Sequence, residues 1–330
     1  MSTGTSELLH PEGSGVATDE VLSGEERAIT ARSPLQLFWR RFRRDKVAMA
    51  ALAFIVFLIL VAIFAPLIVK AVGAPEPNVQ DPNALDDFGL PAGPSSEHIF
   101  GVDQIGRDVF ARTIYGARVS LTVALIATAL IVVIGTVAGM VAGFYRGFTD
   151  SVLSRIMDVQ LAFPVLLLAL GLGAACSLGG GCLGGIIQPG LRVVIFVIVL
   201  AQWPYFARII RGQVLSLREK EFIEAARSLG ASNSRIIFRE ILPNLLAPII
   251  VYTTLIIPTN ILFEAALSFL GVGVQPPTAT WGAMIAEATN IFDIAWWFML
   301  APGIALVFTV LAFNLVGDGL QDALNPKGDR

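Results

Sequence analysis

Long apolar segments that contain no charged residue dominate this sequence. The first runs from Val47 to Val69 and holds 23 residues, and a helix of that length crosses the roughly 30 Å hydrocarbon core of a bilayer. Five more lie at 119–142, 159–175, 193–207, 245–263 and 294–316. Only 15% of the residues are charged, against about 25% in soluble proteins. The sequence therefore predicts an all-α polytopic membrane protein with six transmembrane helices.

The positive charges are distributed unevenly between the loops that connect these segments. If the N-terminus is cytoplasmic, 18 of the 23 Lys and Arg residues lie on the cytoplasmic side. The others, on the external side, are Lys70, Arg107, Arg112, Arg118 and Arg192. Cytoplasmic loops of membrane proteins carry an excess of Lys and Arg. The distribution predicts that the N-terminus and the C-terminus are both cytoplasmic.

Composition divides the chain into regions. Residues 1–32 are rich in Ser, Thr, Gly and Glu, and we expect a disordered cytoplasmic tail because this composition buries too little apolar surface. Residues 33–69 hold a basic, aromatic segment and the first span. The basic segment could bind nucleic acid, but its position beside a span favours contact with membrane lipid. We then expect an external loop at 70–117 that ends in a short helix starting near Asp108, a five-helix core at 118–320 and a cytoplasmic tail at 321–330.

The longest polar run in the apolar part of the chain lies between Glu219 and Pro243. Its first half predicts a short amphipathic helix, because apolar residues recur three and four positions apart. Gly230 then ends this helix as a left-handed C-cap. Ser232 or Asn233 can cap a second helix that runs toward Pro243. The apolar side of the first helix is formed by Phe222, Ile223, Ala226 and Leu229, and that of the second by Ile236, Ile237 and Ile241.

The residues alone leave two interpretations of this helix–turn–helix open. It is either an ordinary amphipathic loop that lies on the lipid headgroups, or a docking knob for another protein. The small side chains of Ala225 and Ala226 favour the second interpretation, because they let another surface approach the backbone closely. The carboxylate of Glu224 lies directly beside them.

Three motifs in this run carry a resemblance to a known family. Glu224-Ala225-Ala226, Gly230 and Leu242-Pro243 resemble the EAA loop of ATP-binding cassette (ABC) importer permeases, although Glu240 stands where the family pattern has an isoleucine. The resemblance implies a coupling helix that sits in a groove of a separate ATPase subunit. The implied ATPase-coupling residues are Phe222, Glu224, Ala225, Ala226, Leu229, Gly230, Leu242 and Pro243.

Three other stretches resemble the second permease subunit of dipeptide, oligopeptide and nickel importers, namely 33–66, 98–121 and 264–282. The resemblance implies an importer of dipeptides or short oligopeptides in the bacterial inner membrane, with nickel or glutathione as alternative substrates. It also implies the partners: a homologous second permease subunit, two ABC ATPase subunits that bind ATP and Mg, and an external substrate-binding protein.

The residue types in the chain argue against several other classes of function. No Lys follows a Gly, so the chain has no phosphate-binding P-loop and no ATPase of its own. Its only histidines are His10 and His98, which offer no His-based catalytic group, so we expect no enzyme and no cofactor in this chain. The spans lack the ionisable groups that proton-coupled carriers use. A sodium-coupled secondary transporter or a passive pore remains an alternative.

Two further candidate sites remain open. Glu264 begins a second Glu-Ala-Ala string at the predicted outer end of the fifth span, where it either faces the mouth of the pathway or is a hydrogen-bonded structural carboxylate. Cys176 and Cys182 form either a disulfide or two free thiols. These two cysteines lack neighbouring ligands at zinc spacing, so we expect no metal site.

Overall fold

The computed structural model describes residues 34–178 and 180–324. In this part of the chain the regular structure is helical, and β-pairing is limited to isolated bridges. The predicted all-α class is thus confirmed. The predicted N-terminal tail and residues 325–330 of the predicted C-terminal tail lie outside the described residues. The helices are α1 (Pro34–Arg44), α2 (Lys46–Ile63), α3 (Ala65–Val72), α4 (Val109–Tyr145), α5 (Gly147–Leu161), α6 (Val165–Leu178), α7 (Leu191–Arg218), α8 (Glu221–Ser228), α9 (Asn233–Arg235), α10 (Leu242–Phe269), α11 (Trp281–Thr289) and α12 (Trp296–Leu324).

Five helical segments in the described residues are long and apolar enough to cross a membrane. They are α2, α4, α7, α12 and the continuous segment Asn233–Phe269, in which a π-helical turn at Ile236–Ile241 joins α9 to α10. A sixth span exists if α5 and α6 are counted together, although their axes differ by 86°. The six predicted spans are therefore five helices and one bent pair.

The bend between α5 and α6 falls inside the predicted third span, 159–175. Pro164 lies between the two helices; it has no amide hydrogen and disfavours helical backbone at the residue before it. With 14 residues, α6 is only about 21 Å long at 1.5 Å per residue. The predicted span 159–175 is therefore bent near Pro164 and includes the end of α5 and most of α6.

The centre of the bundle is the packing of α4 against α7. Gly135, Gly139 and Gly143 lie four residues apart, on one face of α4. A Cβ atom on Gly139 would lie 2.5 Å from the carbonyl oxygen of Ala207, and one on Gly143 would lie 2.8 Å from Cβ of Val214. Small residues at this spacing let two membrane helices approach backbone to backbone.

The predicted helix near Asp108 begins where expected but does not stay short. Asp108 caps α4, with Oδ1 accepting a hydrogen bond from the amide of Ala111 at 2.7 Å. From there α4 continues for 37 residues without a break, so it includes both the end of the predicted external loop and the predicted second span. The preceding residues, 73–108, form an irregular segment with short bridges such as Gln80 to Arg107.

The basic helix α1 is attached to the end of α12. Phe42 is buried in a cluster that includes Ala323 of α12, and Asp45 Oδ1 caps α2 by accepting the amides of Val47 and Ala48. Arg43 and Arg44 remain exposed. The helix therefore presents cations at the end of the bundle, as an interfacial helix requires.

Candidate functional site

The amphipathic helix α8 divides its apolar side chains between two directions. Ile223 is fully buried and Ala226 is half-buried against the core. Phe222 is 40% exposed and Leu229 is 88% exposed. The four predicted apolar residues therefore do not share one face. Ile223 and Ala226 attach the helix, while Phe222 and Leu229 project from the molecule beside exposed Glu224 and Ala225.

The turn after α8 follows from glycine geometry. Gly230 has φ of +79°, a left-handed conformation that L-residues rarely adopt. Its amide donates to the carbonyl of Arg227 at 2.9 Å, and the amide of Ala231 donates to Ala226 at 3.0 Å. Ser232 Oγ then accepts the amide of Arg235 at 3.4 Å and caps α9. Of the two predicted caps, Ser232 is the one used.

The second helix of the loop does not end at Pro243. The amide of Leu242 donates to the carbonyl of Ile237, five residues back, and closes the π-helical turn. Pro243 then follows directly in α10, inside the continuous helical segment Asn233–Phe269, and the π-helical turn just before it adjusts the backbone hydrogen bonding around its missing amide hydrogen. Half-buried Leu242 and exposed Pro243 thus belong to the start of a membrane-crossing helix. The loop is continuous with α10.

Cationic side chains attach the loop and the end of α7 to the end of α4. The guanidinium groups of Arg218 and Arg227 each lie 5.8 Å from the ring centroid of Phe144, and Arg218 also donates to the carbonyl of Phe144. Arg146 Nη2 lies 2.6 Å from Glu219 Oε1. Both side chains of this ion pair are exposed, so the pair contributes at most about 1 kcal/mol to stability. Phe144 is the centre of the attachment.

Glu264 lies inside the bundle, not on a surface. It is fully buried and accepts hydrogen bonds from Ser120 Oγ at 2.8 Å and Ser268 Oγ at 2.7 Å. Ser120 belongs to α4, so the carboxylate links α4 to α10. Of the two interpretations of Glu264, this geometry favours the hydrogen-bonded structural carboxylate over the mouth of the pathway.

Cys176 and Cys182 form a disulfide in this structure, with their Cα atoms 4.7 Å apart. Both are buried, and the amide of Cys182 donates to the carbonyl of Ile187 at 2.9 Å. The bond closes the connection between α6 and α7. Within residues 34–178 and 180–324, no cluster of three or more His, Cys, Asp or Glu side chains is arranged to hold a metal ion.

Sequence reasoning missed a chain of uncharged polar groups inside the bundle. Asn260 Nδ2 donates to Thr128 Oγ1 at 2.7 Å, and Gln202 Nε2 donates to Asn260 Oδ1 at 2.7 Å. The three residues belong to α10, α4 and α7. The sequence did show Gln202 and Asn260 within uncharged apolar segments. Each such amide needs a hydrogen-bond partner, because an unpaired amide in a membrane is costly.

It also missed a buried ionic network at the opposite end of α4 from Phe144. Arg107 Nε lies 2.6 Å from Asp103 Oδ2, and Arg107 Nη2 lies 2.8 Å from Glu287 Oε2 of α11. Arg112 Nη2 lies 3.1 Å from the same oxygen of Glu287. Nearby, His98 Nδ1 lies 2.8 Å from Asp108 Oδ2. The acidic and basic residues between 98 and 112 were the visible signal, but Glu287 is too distant in sequence to be paired with them.

These features define the class: a polytopic helical membrane protein that presents an exposed amphipathic helix and glycine turn on its polar surface. The chain belongs to the family of binding-protein-dependent transport system inner membrane components, whose model matches residues 135–329. A second model, the N-terminal transmembrane domain of oligopeptide transport permease C, matches residues 33–91.

Curated relatives support the same assignment over nearly the whole chain. A dipeptide transport system permease protein of Alkalihalophilus pseudofirmus is 43% identical over 92% of this chain and 93% of the relative. A glutathione transport system permease protein of Escherichia coli is 45% identical over 90% of this chain and 91% of the relative. The protein is therefore a multi-pass inner-membrane permease subunit of an ABC importer, and ATP hydrolysis belongs to a separate subunit.

Solved structures agree in fold. An inward-facing structure of the MetNI methionine ABC transporter aligns with a TM-score of 0.55 at 19% identity, covering 66% of this chain and 97% of that chain. A second crystal form aligns with a TM-score of 0.53 at 20% identity, covering 65% of this chain and 96% of that chain. The aligned part of this chain therefore has the fold of an ABC permease.

Proposed function

We propose that the loop 219–243 couples this permease to a cytoplasmic ATPase subunit. The observation that carries the proposal is Leu229, a large apolar side chain that is 88% exposed next to a well-defined glycine turn. Burying such a side chain in a partner is favourable by about 1.5–3 kcal/mol. Glu224 and Ala225, exposed beside it, complete a surface that a groove can accept.

Movement of this surface has two routes into the membrane. One runs through α9 and the π-helical turn into α10, because these elements are continuous. The other runs through Arg227 and Phe144 into α4. When ATP and Mg close the ATPase pair, α8 moves with it, and the ends of α4 and α10 follow. The resulting shift between two packed arrangements opens the pathway alternately to each side.

The complete importer, in this proposal, contains this chain, a homologous second permease subunit, two ABC ATPase subunits and an extracytoplasmic substrate-binding protein. Membrane lipid contacts α1, whose exposed Arg43 and Arg44 suit anionic headgroups. ATP and Mg bind only to the ATPase subunits.

The substrate is a short peptide. The two curated relatives are named for a dipeptide and for glutathione, and they are about equally similar to this chain. Glutathione is itself a tripeptide, so both names describe one chemical class. Dipeptides and short oligopeptides are therefore favoured, with glutathione and nickel as the alternatives.

Replacing Leu229 tests the coupling. Leu229→Ala removes the exposed side chain without touching the packing of Ile223, so the protein should insert normally. Because the apolar contact with the ATPase is lost, uptake of a labelled dipeptide by the complete system should fall about tenfold or more. The measurement is uptake together with ATPase co-purification. Normal values of both would contradict the proposal.

Leu67→Ala is the matched control, since Leu67 is an apolar residue of α3 that is 63% exposed and lies away from the loop. It should leave uptake and ATPase retention unchanged. In the wild-type system, excess unlabelled dipeptide should abolish uptake of the labelled dipeptide. If only glutathione or only nickel inhibited this uptake, that compound would replace dipeptides as the proposed substrate.

A further inference from the structure

Phe88 is the most exposed large apolar side chain that the structure describes, at 90%. It lies at the tip of a tight turn between Asp86 and Leu90. Asp86 Oδ1 accepts the amides of Phe88 at 2.9 Å and Leu90 at 2.7 Å, and the amide of Asp86 donates to the carbonyl of Leu90 at 2.9 Å. Hydrogen bonds therefore hold Phe88 outward.

The base of this turn is attached to α12. The amide of Ala92 donates to Ala84 at 2.9 Å, and the amide of Val102 donates to Ala92 at 3.1 Å. Trp297 Nε1 of α12 in turn donates to the carbonyl of Val102 at 3.2 Å. A Cβ atom on Gly101 would lie 2.5 Å from this Trp297 nitrogen, so the packing is close. A force on the turn reaches the start of a membrane-crossing helix.

A second attachment connects the same segment to α11. Asp103 and Arg107 are buried, and Arg107 bridges Asp103 to Glu287. Breaking a buried ion pair by removing one partner is strongly unfavourable. The turn thus extends from a segment that is fixed to α4, α11 and α12, which is the arrangement that an anchor for an external partner requires.

The charge of the segment restricts that partner. Residues 71–106 contain six Asp and Glu residues and no Lys or Arg. Asp87, next to Phe88, is exposed. Anionic lipid headgroups and a second copy of this acidic surface would both be repelled. An exposed aromatic side chain with an acidic rim is instead matched by a protein surface that has an apolar notch among cations.

We propose that the turn Asp86–Leu90 is a docking anchor for a soluble protein outside the membrane, with Phe88 filling an apolar notch and Asp87 facing cations around it. The proposal rests on the proposed function, since its occupant is the extracytoplasmic substrate-binding protein, and on the predicted external side of residues 70–117. Docking at this turn acts directly on the outer ends of α11 and α12.

The test uses the complete permease and ATPase complex in nanodiscs and the binding protein of the same transport system. Phe88→Ala should raise the Kd for the binding protein about tenfold or more, because aromatic anchors dominate such interfaces. Asp87→Lys should slow association and reduce its dependence on salt. Asp86 is left intact because it closes the turn. Biolayer interferometry at two salt concentrations measures both effects.

Phe148→Ala is the matched control, because Phe148 is 85% exposed but lies in the first turn of α5, on the predicted cytoplasmic side. It should bind the binding protein with the wild-type Kd. Wild-type Kd values for both Phe88→Ala and Asp87→Lys would overturn the docking turn alone. Failure of the wild-type complex to bind the binding protein would instead overturn the proposed partner, and this inference with it.

Lipid is the competing occupant of the space around Phe88. In a Phe88→Trp variant, brominated lipids should leave the fluorescence of the introduced indole unquenched relative to the same variant in unbrominated lipid, after subtraction of the wild-type signal. Strong quenching would show that the side chain at this position is inserted in the bilayer and would overturn the proposal.

Discussion

Gly230 shows how a single backbone conformation shapes the proposed coupling surface. Its φ of +79° is left-handed, and a Cβ atom added there would meet nothing within 4 Å. The cost of a side chain is therefore backbone strain of about 1–2 kcal/mol and not a steric clash. Gly230→Val should shift the turn, so that ATPase co-purification and uptake both fall while the amount of inserted protein stays the same.

Gly212→Val supplies the control for this substitution. Gly212 lies in α7 with no atom within 4 Å of an added Cβ and without a positive φ. Its replacement should retain the ATPase at the wild-type level. Equal retention in Gly230→Val and wild type would show that the turn geometry has no role in coupling.

Local residue patterns predicted part of this site. The left-handed turn at Gly230 after α8 and the cap at Ser232 depend only on neighbouring backbone, so they could be predicted from the sequence. The exposure of Phe222 and Leu229 could not, because a helical period identifies apolar residues but does not say whether they face the core or a partner. The stacking of Arg227 on Phe144 depends on the packing of distant helices.

At the level of helices, the contact between α4 and α7 depends on the absence of side chains. Gly139→Leu would place its Cβ atom 2.5 Å from the carbonyl oxygen of Ala207, and neither backbone can give way without separating the helices. We expect a loss of about 1–3 kcal/mol of stability, seen as a lower midpoint of thermal unfolding in detergent.

Gly171→Leu is the corresponding control, because an added Cβ on this glycine of α6 meets nothing within 4 Å. It should leave the unfolding midpoint close to the wild-type value. If Gly139→Leu and Gly171→Leu unfolded at the same temperature, the close approach of α4 and α7 would not be a source of stability.

Proline had opposite outcomes in two elements, which explains why helix boundaries were harder to predict than helix existence. Pro164 separates α5 from α6, whereas the helical segment Asn233–Phe269 continues through Pro243. The difference lies in the π-helical turn Ile236–Ile241, which directly precedes Pro243 and has no counterpart in α5 before Pro164. The sequence shows where the prolines are, but it does not show the helix geometry around each of them.

In the whole molecule, α4 connects two attachment points. Arg112, near its start, joins the ionic network with Glu287, and Phe144, near its end, contacts Arg218 of α7 and Arg227 of α8. At 37 residues, α4 is about 55 Å long. The apolar segments predicted the spans, but contacts between residues more than a hundred positions apart, such as Arg112 with Glu287, required the structure.

A single cysteine tests directly whether the loop 219–243 is cytoplasmic and covered by an ATPase subunit, as we propose. Ser228→Cys, in a background with Cys176 and Cys182 replaced, is treated with a membrane-impermeant maleimide. We expect no labelling in intact cells, rapid labelling in inverted vesicles without the ATPase subunits, and protection when these subunits are present. Ser96→Cys, in the predicted external loop, should be labelled in intact cells. Labelling of position 228 from outside, or equal labelling with and without the ATPase, would contradict the claim.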